Sequence, residues 1–288
     1  VLADYEMYLS RLPISSHTRR NYLLRVKRFM AWLEECPEGA KALTDPMDRD
    51  YAVREFKSWL LQRNRSANTV NSSLAALDNY FLYKGLGLAN VKRLDLPKLA
   101  PKALSNDEQR RFLKAIANCK SIRNQIIATI MVNTGLRISE VGQLNISDVV
   151  LTARKHELTV RCGKNNKRRI VPMNKDVADA LQHYLVGKRT ADSESPLFTN
   201  QQGARLSLQS IDHLIRKLGK SAGVELSSHS LRHTFITRLI RAGVDLVTVS
   251  ELSGHSRLET VRRYSLPSQE VMIAAVERLS VNYATASR

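Results

Sequence analysis

The chain has 288 residues, 43% apolar and 25% charged, which is ordinary for globular protein and long enough for two domains with a sizeable core. Lys and Arg outnumber Asp and Glu by 45 to 27, a formal net charge of +18, and a surplus that large points to a polyanionic partner. No run of about 18 apolar residues marks a membrane span, the opening VLADYEMYLS lacks the apolar block of a secretory leader, and Cys36, Cys119 and Cys162 suit a reducing cytoplasm better than a disulfide framework or a zinc site.

Residues 1 to about 95 read as all helix. SHTRRNYLLRVKRFMAWLEE puts Tyr22, Val26, Phe29 and Leu33 on one face and Arg19, Arg20, Arg25, Lys27 and Arg28 largely on the others. These five cations are the candidate phosphate and groove contacts of a first domain at 1–95. DYAVREFKSWLLQR and SANTVNSSLAALDNYFLYKG repeat the apolar period and stop at polar residues or Gly. LDLPKLAPKALS, with two prolines, predicts a linker at 96–103.

A second domain is expected at 104–288. Ser105 and Glu108 have capping-box spacing ahead of QRRFLKAI, and NQIIATIMVNTG and RISEVGQL predict two more helices. The period then changes to 2: HELTV and RRIVPM predict short strands around GKNNK, a hairpin. Beyond it the chain reads as mostly helical to residue 281. The predicted fold is mainly α with a small β-sheet, an α+β class. Residues 1–100 hold 16 Lys and Arg against 11 Asp and Glu, leaving 29 against 16 in residues 101–288. Both domains are basic, which predicts a two-domain clamp on nucleic acid, and the denser charge marks the second as the seat of chemistry.

Four stretches there stand out. TGLRISE sets Arg137 and Glu140 three apart at a helix start. CGKNNKRR is a hairpin tip carrying Lys164, Lys167, Arg168 and Arg169, the last three further candidate DNA contacts, with Asn165 and Asn166 suited to left-handed turn conformations. SSHSLRHTFITRLIRAG opens a helix with His229, Arg232 and His233, where the helix dipole disfavours cations and where an anion would be welcome. ELSGHSRLETVRRYSLPS ends a helix at Gly254, follows it with His255 and carries Tyr264 nine residues on.

Together these groups fit one phosphodiester. Two Arg, a Lys and two His supply donors for a phosphorus centre that gathers negative charge at its transition state. A phenol of pKa ~10 is a poor nucleophile until its proton is removed, and a leaving alkoxide needs an acid such as Lys or His. No carboxylate cluster for Mg²⁺ accompanies them. The inventory predicts metal-free transesterification with Tyr264 as nucleophile, and no cofactor.

TGLRISE, GKNNKRRIVP, HSLRHTFIT and LSGHSRLETVRRYS resemble, in order and spacing, the boxes of the tyrosine recombinases, most closely the Xer and transposon-resolvase branch. The resemblance spans roughly residues 1–280. It implies a helical DNA core-binding domain, a catalytic domain and a C-terminal helix. Arg137 and Arg232 would bind the phosphate, Lys164 would be the acid for the 5′-oxygen with Lys167 as its rival, and His255 would contact a non-bridging oxygen. His229 would take the Tyr264 proton or orient the phosphate, Glu140 would hold the cluster, and His233 would support it. Asn165 stands where many relatives have Gly.

The resemblance further implies a double-stranded DNA recombination site, one monomer on each half-site, a homotetramer in the synapse and a Holliday-junction pathway. Accessory DNA-bending proteins or extra binding sites for the protein itself are further partners it allows. Location would be bacterial, cytoplasmic and nucleoid-associated. The apolar spacing of SLPSQEVMIAAVERLS suggests a last helix that docks on a neighbouring subunit or on its own domain. The competing functions are a type IB topoisomerase-like relaxation of DNA and a non-catalytic DNA-binding regulator on the same scaffold.

Overall fold

The computed structural model of the protein describes residues 2–37, 39–96, 103–161, 168–186, 192–255, 257–266, 272–273 and 276–277. The chain divides into two compact units, Val1–Lys98 and Leu99–Arg288.

The first unit is built from α1 (Leu2–Arg11), α2 (Ser16–Glu34), α3 (Pro46–Gln62) and α4 (Ala67–Tyr83). Ser15, Asp45 and Ser66 cap the last three, and Pro46 opens α3 where a missing N–H costs nothing. The apolar face of α2 turns inward as its spacing predicts: Val26, Phe29 and Leu33 are buried with Tyr5, Phe56, Tyr80 and Phe81. The all-helix expectation fails after Tyr83. Gly85 and Gly87 take positive φ of 78° and 75°, which stops the helix. The following non-helical strap is tied back by Asn71, whose side chain bonds the Leu94 N–H and C=O at 2.8 Å each.

The second unit opens with α5 (Asn106–Ala117), whose capping box between Ser105 and Glu108 is formed. Then come α6 (Ile122–Thr134), α7 (Ile138–Gln143), and strands β1 (Val149–Leu151), β2 (His156–Val160) and β3 (Arg169–Pro172). The strands make an antiparallel meander in the order β1-β2-β3. Val149 faces Leu158, Leu158 faces Val171, and Val160 faces Arg169. Three-residue β1 carries no alternation of its own, so sequence periodicity missed it; its pairing with β2 makes it a strand.

The helices α8 (Lys175–Val186), α9 (Leu208–Ser221), α10 (Ser228–Arg241), α11 (Leu246–Ser253) and α12 (Leu258–Arg262) complete the unit. One core of Phe112, Ile127, Met131, Leu158, Val171, Leu181, Ile215 and Leu231, among others, joins α5–α10 to the sheet. A small separate cluster of Ile236, Val249, Val261 and Tyr264 seats α11 and α12 on α10. Among the described residues no helix is long and apolar enough to cross a membrane.

Candidate active site

Gly135 closes α6 at φ 60°. A Cβ there would run into the Phe235 ring, so both the left-handed conformation and the close packing demand glycine. Two residues on, Arg137 is extended and caps α7. The Arg137 backbone N–H donates to Glu140 Oε2 at 2.8 Å, and its Nη1 donates to Oε1 at 2.9 Å.

Glu140 is 3% exposed. Its carboxylate also takes a two-pronged grip from Arg169, Nη1 to Oε1 at 2.8 Å and Nη2 to Oε2 at 2.9 Å. Burial would raise the Glu140 carboxyl, but the hydrogen bonds and charges of Arg169 and Arg137 outweigh it and hold it below the usual carboxylate range. Arg169 thus departs from the expectation that it joins Arg168 at an exposed tip. It lies at the base of the hairpin, opposite Val160, and its guanidinium turns inward to the buried anion. Arg168 is exposed. Lys164 and Lys167 lie outside the described residues.

Arg232 enters from near the start of α10, as its fifth residue, and is 4% exposed. Its Nη1 donates to Gly135 O at 2.7 Å and its Nη2 to Ser253 O at 2.6 Å. Arg137 Nη2 donates to the next carbonyl, Gly254 O, at 2.8 Å. The C-terminal carbonyls of α6 and α11, the negative ends of two helices, therefore converge on the cation that its own helix disfavours. Burial, followed by the charge of Arg137, lowers Arg232 to about 10, so it remains charged at neutral pH. Both guanidinium groups keep further N–H donors for an incoming anion.

The α11–α12 turn delivers the last groups. Gly254 adopts φ 64°, and a Cβ on it would lie 2.6 Å from Arg169 Cζ. His255 is fixed by its N–H to Ser250 O at 3.0 Å and by Ser250 Oγ donating to its carbonyl at 3.1 Å. His255 Nδ1 lies 2.7 Å from Ser253 Oγ and its Nε2 3.3 Å from Arg232 Nη2. Burial first, then Arg232 and Arg137, push His255 down to about 3.

Tyr264 is buried against Val261, and its hydroxyl meets His233 Nδ1 at 2.6 Å. The His255 ring centre is 6.4 Å from that of Tyr264. Burial, then His229 and Arg232, push His233 down to about 4, so it is neutral at pH 7. Burial also raises the Tyr264 hydroxyl, with Arg232, Arg263 and Arg137 pulling the other way.

The structure thus brings Arg137, Glu140, Arg169, Arg232, His233, His255 and Tyr264 into one network. His229 is not hydrogen-bonded to Tyr264; it is exposed, with its ring centre 6.4 Å from that of His233, on a groove it shares with Asp212, His213 and Arg216. Of the first-unit cations, Arg20, Lys27 and Arg28 are exposed. Arg19 donates to Ser10 O at 3.1 Å, and Arg25 to Ser73 Oγ at 3.3 Å, so these two are tied within their own unit.

Comparison with known proteins agrees with this arrangement. The profile described as "Phage integrase family" matches residues 102–270, and "Phage integrase, N-terminal SAM-like domain" matches residues 2–85. The chain belongs to the phage integrase family of tyrosine recombinases. The tyrosine recombinase XerA of Thermococcus kodakarensis is 32% identical over 282 residues, covering 96% of this chain and 94% of the relative. The tyrosine recombinase XerC of Syntrophus aciditrophicus is 28% identical over 307 residues, covering 96% of each. A solved XerA recombinase superposes with a TM-score of 0.55 at 26% identity and covers 98% of both chains. The fold alone is shared with XerH bound to palindromic difH substrate, at TM-score 0.73 and 23% identity, over 90% of this chain and 78% of that one. As a tyrosine recombinase, the protein is an enzyme of site-specific DNA recombination.

Proposed function

We propose that Tyr264 cleaves one strand of a duplex recombination site at a time. Its Oη attacks the phosphorus while the P–O5′ bond breaks, giving a 3′-phosphotyrosine and a free 5′-hydroxyl. The Tyr264 proton goes to His233, the neutral imidazole whose Nδ1 is 2.6 Å away. Arg137, Arg232 and His255 bind the non-bridging oxygens, Lys164 protonates the leaving 5′-oxygen, and exposed His229 orients the phosphate. The bond energy stays in the adduct, so a 5′-hydroxyl from a second strand reseals the backbone without ATP. The observation that carries this reading is the meeting of a neutral His233–Tyr264 pair with two buried-site guanidinium groups held on helix carbonyls.

Two such exchanges in sequence, made by four protomers on two DNA sites, pass through a Holliday junction. Each monomer takes one half-site, with Arg20, Lys27 and Arg28 of the first unit and Arg168 of the hairpin as backbone contacts, so affinity falls steeply with salt. The work at hand is resolution or integration of a mobile element or replicon on nucleoid DNA, with accessory bending proteins where the site requires them. Family membership and the complete set from Arg137 to Tyr264 support an active enzyme over a regulator. A requirement for two specific sites separates it from a topoisomerase-like relaxing activity.

The test is a nicked suicide DNA substrate followed by denaturing electrophoresis. Wild type is expected to form a covalent protein–DNA band that Tyr264→Phe abolishes. A band that survives in Tyr264→Phe overturns the assignment of the nucleophile, and no band from wild type on any cognate site overturns the reading.

A further inference from the structure

Ser253 has no place in the expected chemistry, yet it is fully buried and touches His255. A serine hydroxyl has one hydrogen to give. Ser253 Oγ donates it to Val249 O at 2.6 Å, closing the last turn of α11. What Oγ then offers His255 Nδ1, 2.7 Å away, is a lone pair, so Nδ1 must carry the ring proton. The other side of the ring gives the same answer independently. Nε2 lies 3.3 Å from Arg232 Nη2, and a guanidinium donates and never accepts, so Nε2 must be the acceptor. The Ser253 carbonyl meanwhile takes a second N–H of the same Arg232 nitrogen at 2.6 Å. One residue thus fixes both the ring and the arginine beside it.

We infer that Ser253 is the positioning residue that holds His255 in its Nδ1–H form, so that Nε2 meets an incoming DNA phosphate without a hydrogen and donates to it only after taking one proton from solvent. This rests on the reading of His255 as a phosphate contact. In the free protein the groups facing His255 are cationic: Arg232 from α10, Arg137 ahead of α7 and Arg169 from β3, with neutral His233 also on α10. The Tyr264 ring also faces it, 6.4 Å away between ring centres, and burial first, then these cations, keep the imidazole neutral. A phosphodiester placed among them reverses the balance, adding a negative charge and an acceptor oxygen that both favour an N–H at Nε2. Docking of the scissile phosphate is then coupled to uptake of one proton. Without DNA, Nε2 stays engaged with Arg232 at 3.3 Å, and the substrate itself completes the donor set.

The test uses the full chain labelled with ¹⁵N-histidine, with His255 identified by the resonances missing from His255→Gln. Long-range ¹H–¹⁵N spectra of the free wild type at pH 7 are expected to show His255 protonated at Nδ1. Ser253→Ala removes the 2.7 Å acceptor and leaves only the longer 3.3 Å Arg232 contact to hold the tautomer, so part of the population shifts its hydrogen to Nε2, and Ser253→Thr, which keeps the hydroxyl, restores Nδ1–H. The adduct-forming rate on the suicide substrate gives a second readout. The fall in rate from about pH 6 to about pH 8 is expected to be at least about threefold smaller in Ser253→Ala, part of which already carries Nε2–H, than in wild type, which must first take up the proton. A wild-type ring protonated at Nε2 overturns the inference, even if Ser253→Ala does not fold. So does a Ser253→Ala enzyme slowed by the same factor at every pH. The spectra of the free protein decide the tautomer even if wild type forms no adduct, an outcome that counts against the recombination chemistry alone.

Discussion

His233 Nδ1 and the Tyr264 hydroxyl are hydrogen-bonded at 2.6 Å across 31 positions of sequence. The histidine is held neutral by burial and by neighbouring cations, and burial raises the phenol beside it while Arg232, Arg263 and Arg137 favour its anion. A neutral imidazole, a hydrogen bond already made and nearby positive charge are the three things a phenol needs to lose its proton at neutral pH. His229, exposed and off this bond, lacks the second.

Replacing His233 with Ala is therefore expected to slow adduct formation on the suicide substrate by about 10²-fold or more, the usual size of a lost general base. His229→Ala is expected to cost less than about tenfold, in the range of one lost orienting contact. Single-turnover rates with saturating DNA check both. Equal rates for wild type and His233→Ala, or a larger loss for His229→Ala, would remove His233 from the proton path.

Glu140 is the anion that holds the cations in place. Its side chain is 2% exposed and pairs with both Arg137 and Arg169. Glu140→Gln keeps the shape and deletes the charge, leaving two guanidinium groups facing a neutral amide. Breaking a buried pair from one side costs about 3–5 kcal/mol, and at the low end the catalytic unit should melt about 6–12 °C lower. Arg169→Lys should cost less, because Glu140 keeps Arg137, yet an ammonium cannot reproduce the two-pronged bond. Calorimetry of both variants is the measurement, and a Glu140→Gln protein as stable as wild type contradicts the assignment.

Local relations in this site were legible in the sequence and distant ones were not. Arg137 and Glu140 sit three apart at a helix start, so their pairing followed from helix geometry, and the glycine before His255 announced the end of α11. Arg169 reads as one more tip cation in CGKNNKRR. Only the β2–β3 register places it at the hairpin base, within reach of a carboxylate 29 positions earlier. The His233–Tyr264 bond depends on how α12 seats on α10, through the cluster of Ile236, Val249 and Val261, and no spacing rule reports that. His233 stood beside Arg232 in the motif, but a neighbour in sequence has no signal of its own. Ser253 was missed because a serine in a helical pattern is ordinary; its meaning comes from the two groups that flank it.

Gly254 joins the two halves of the site by having no side chain. Its φ of 64° disfavours any other residue by about 1–2 kcal/mol, and a Cβ would strike the Arg169 guanidinium. Gly254→Ala is expected to displace Arg169 from Glu140 and to shift the carbonyl that Arg137 uses. DNA affinity in a mobility-shift assay should change little, since most phosphate contacts lie elsewhere, while adduct formation falls at least about tenfold. Unaltered cleavage by Gly254→Ala would show that the contact is slack.

Met272, Ile273 and Val276 are 49%, 55% and 68% exposed. Three apolar side chains so close in sequence and so open to water suit a surface that is covered on assembly. Removing residues 268–288 should leave binding to one half-site intact and lower the cooperativity of binding to a two-site DNA by about tenfold, roughly 1.4 kcal/mol. Titrations on one-site and two-site DNA separate the two effects, and unchanged cooperativity assigns these side chains to their own subunit.

The buried histidines also set how the catalytic unit responds to acid. Their ordinary value is 6.5, and the fold lowers His233 to about 4 and His255 to about 3. Below pH 6.5 the unfolded chain binds a proton on each, while the folded chain does not until pH 4 or 3. The unfolded state therefore holds more protons across that window, and stability rises with pH through it. The contribution is complete above pH 6.5 and drains away as pH falls toward 3. Glu140 acts in the same sense lower down: its folded carboxyl lies below 4.5, so its contribution holds above that value and is lost as pH falls through the depressed one. The melting temperature of wild type should therefore drop more steeply between pH 7 and pH 5 than that of His233→Gln or His255→Gln, which have one fewer buried imidazole to protonate. Parallel slopes in the three proteins would mean that the rings take up their protons without resistance from the fold, and the neutral His233 on which the cleavage step depends would go with them.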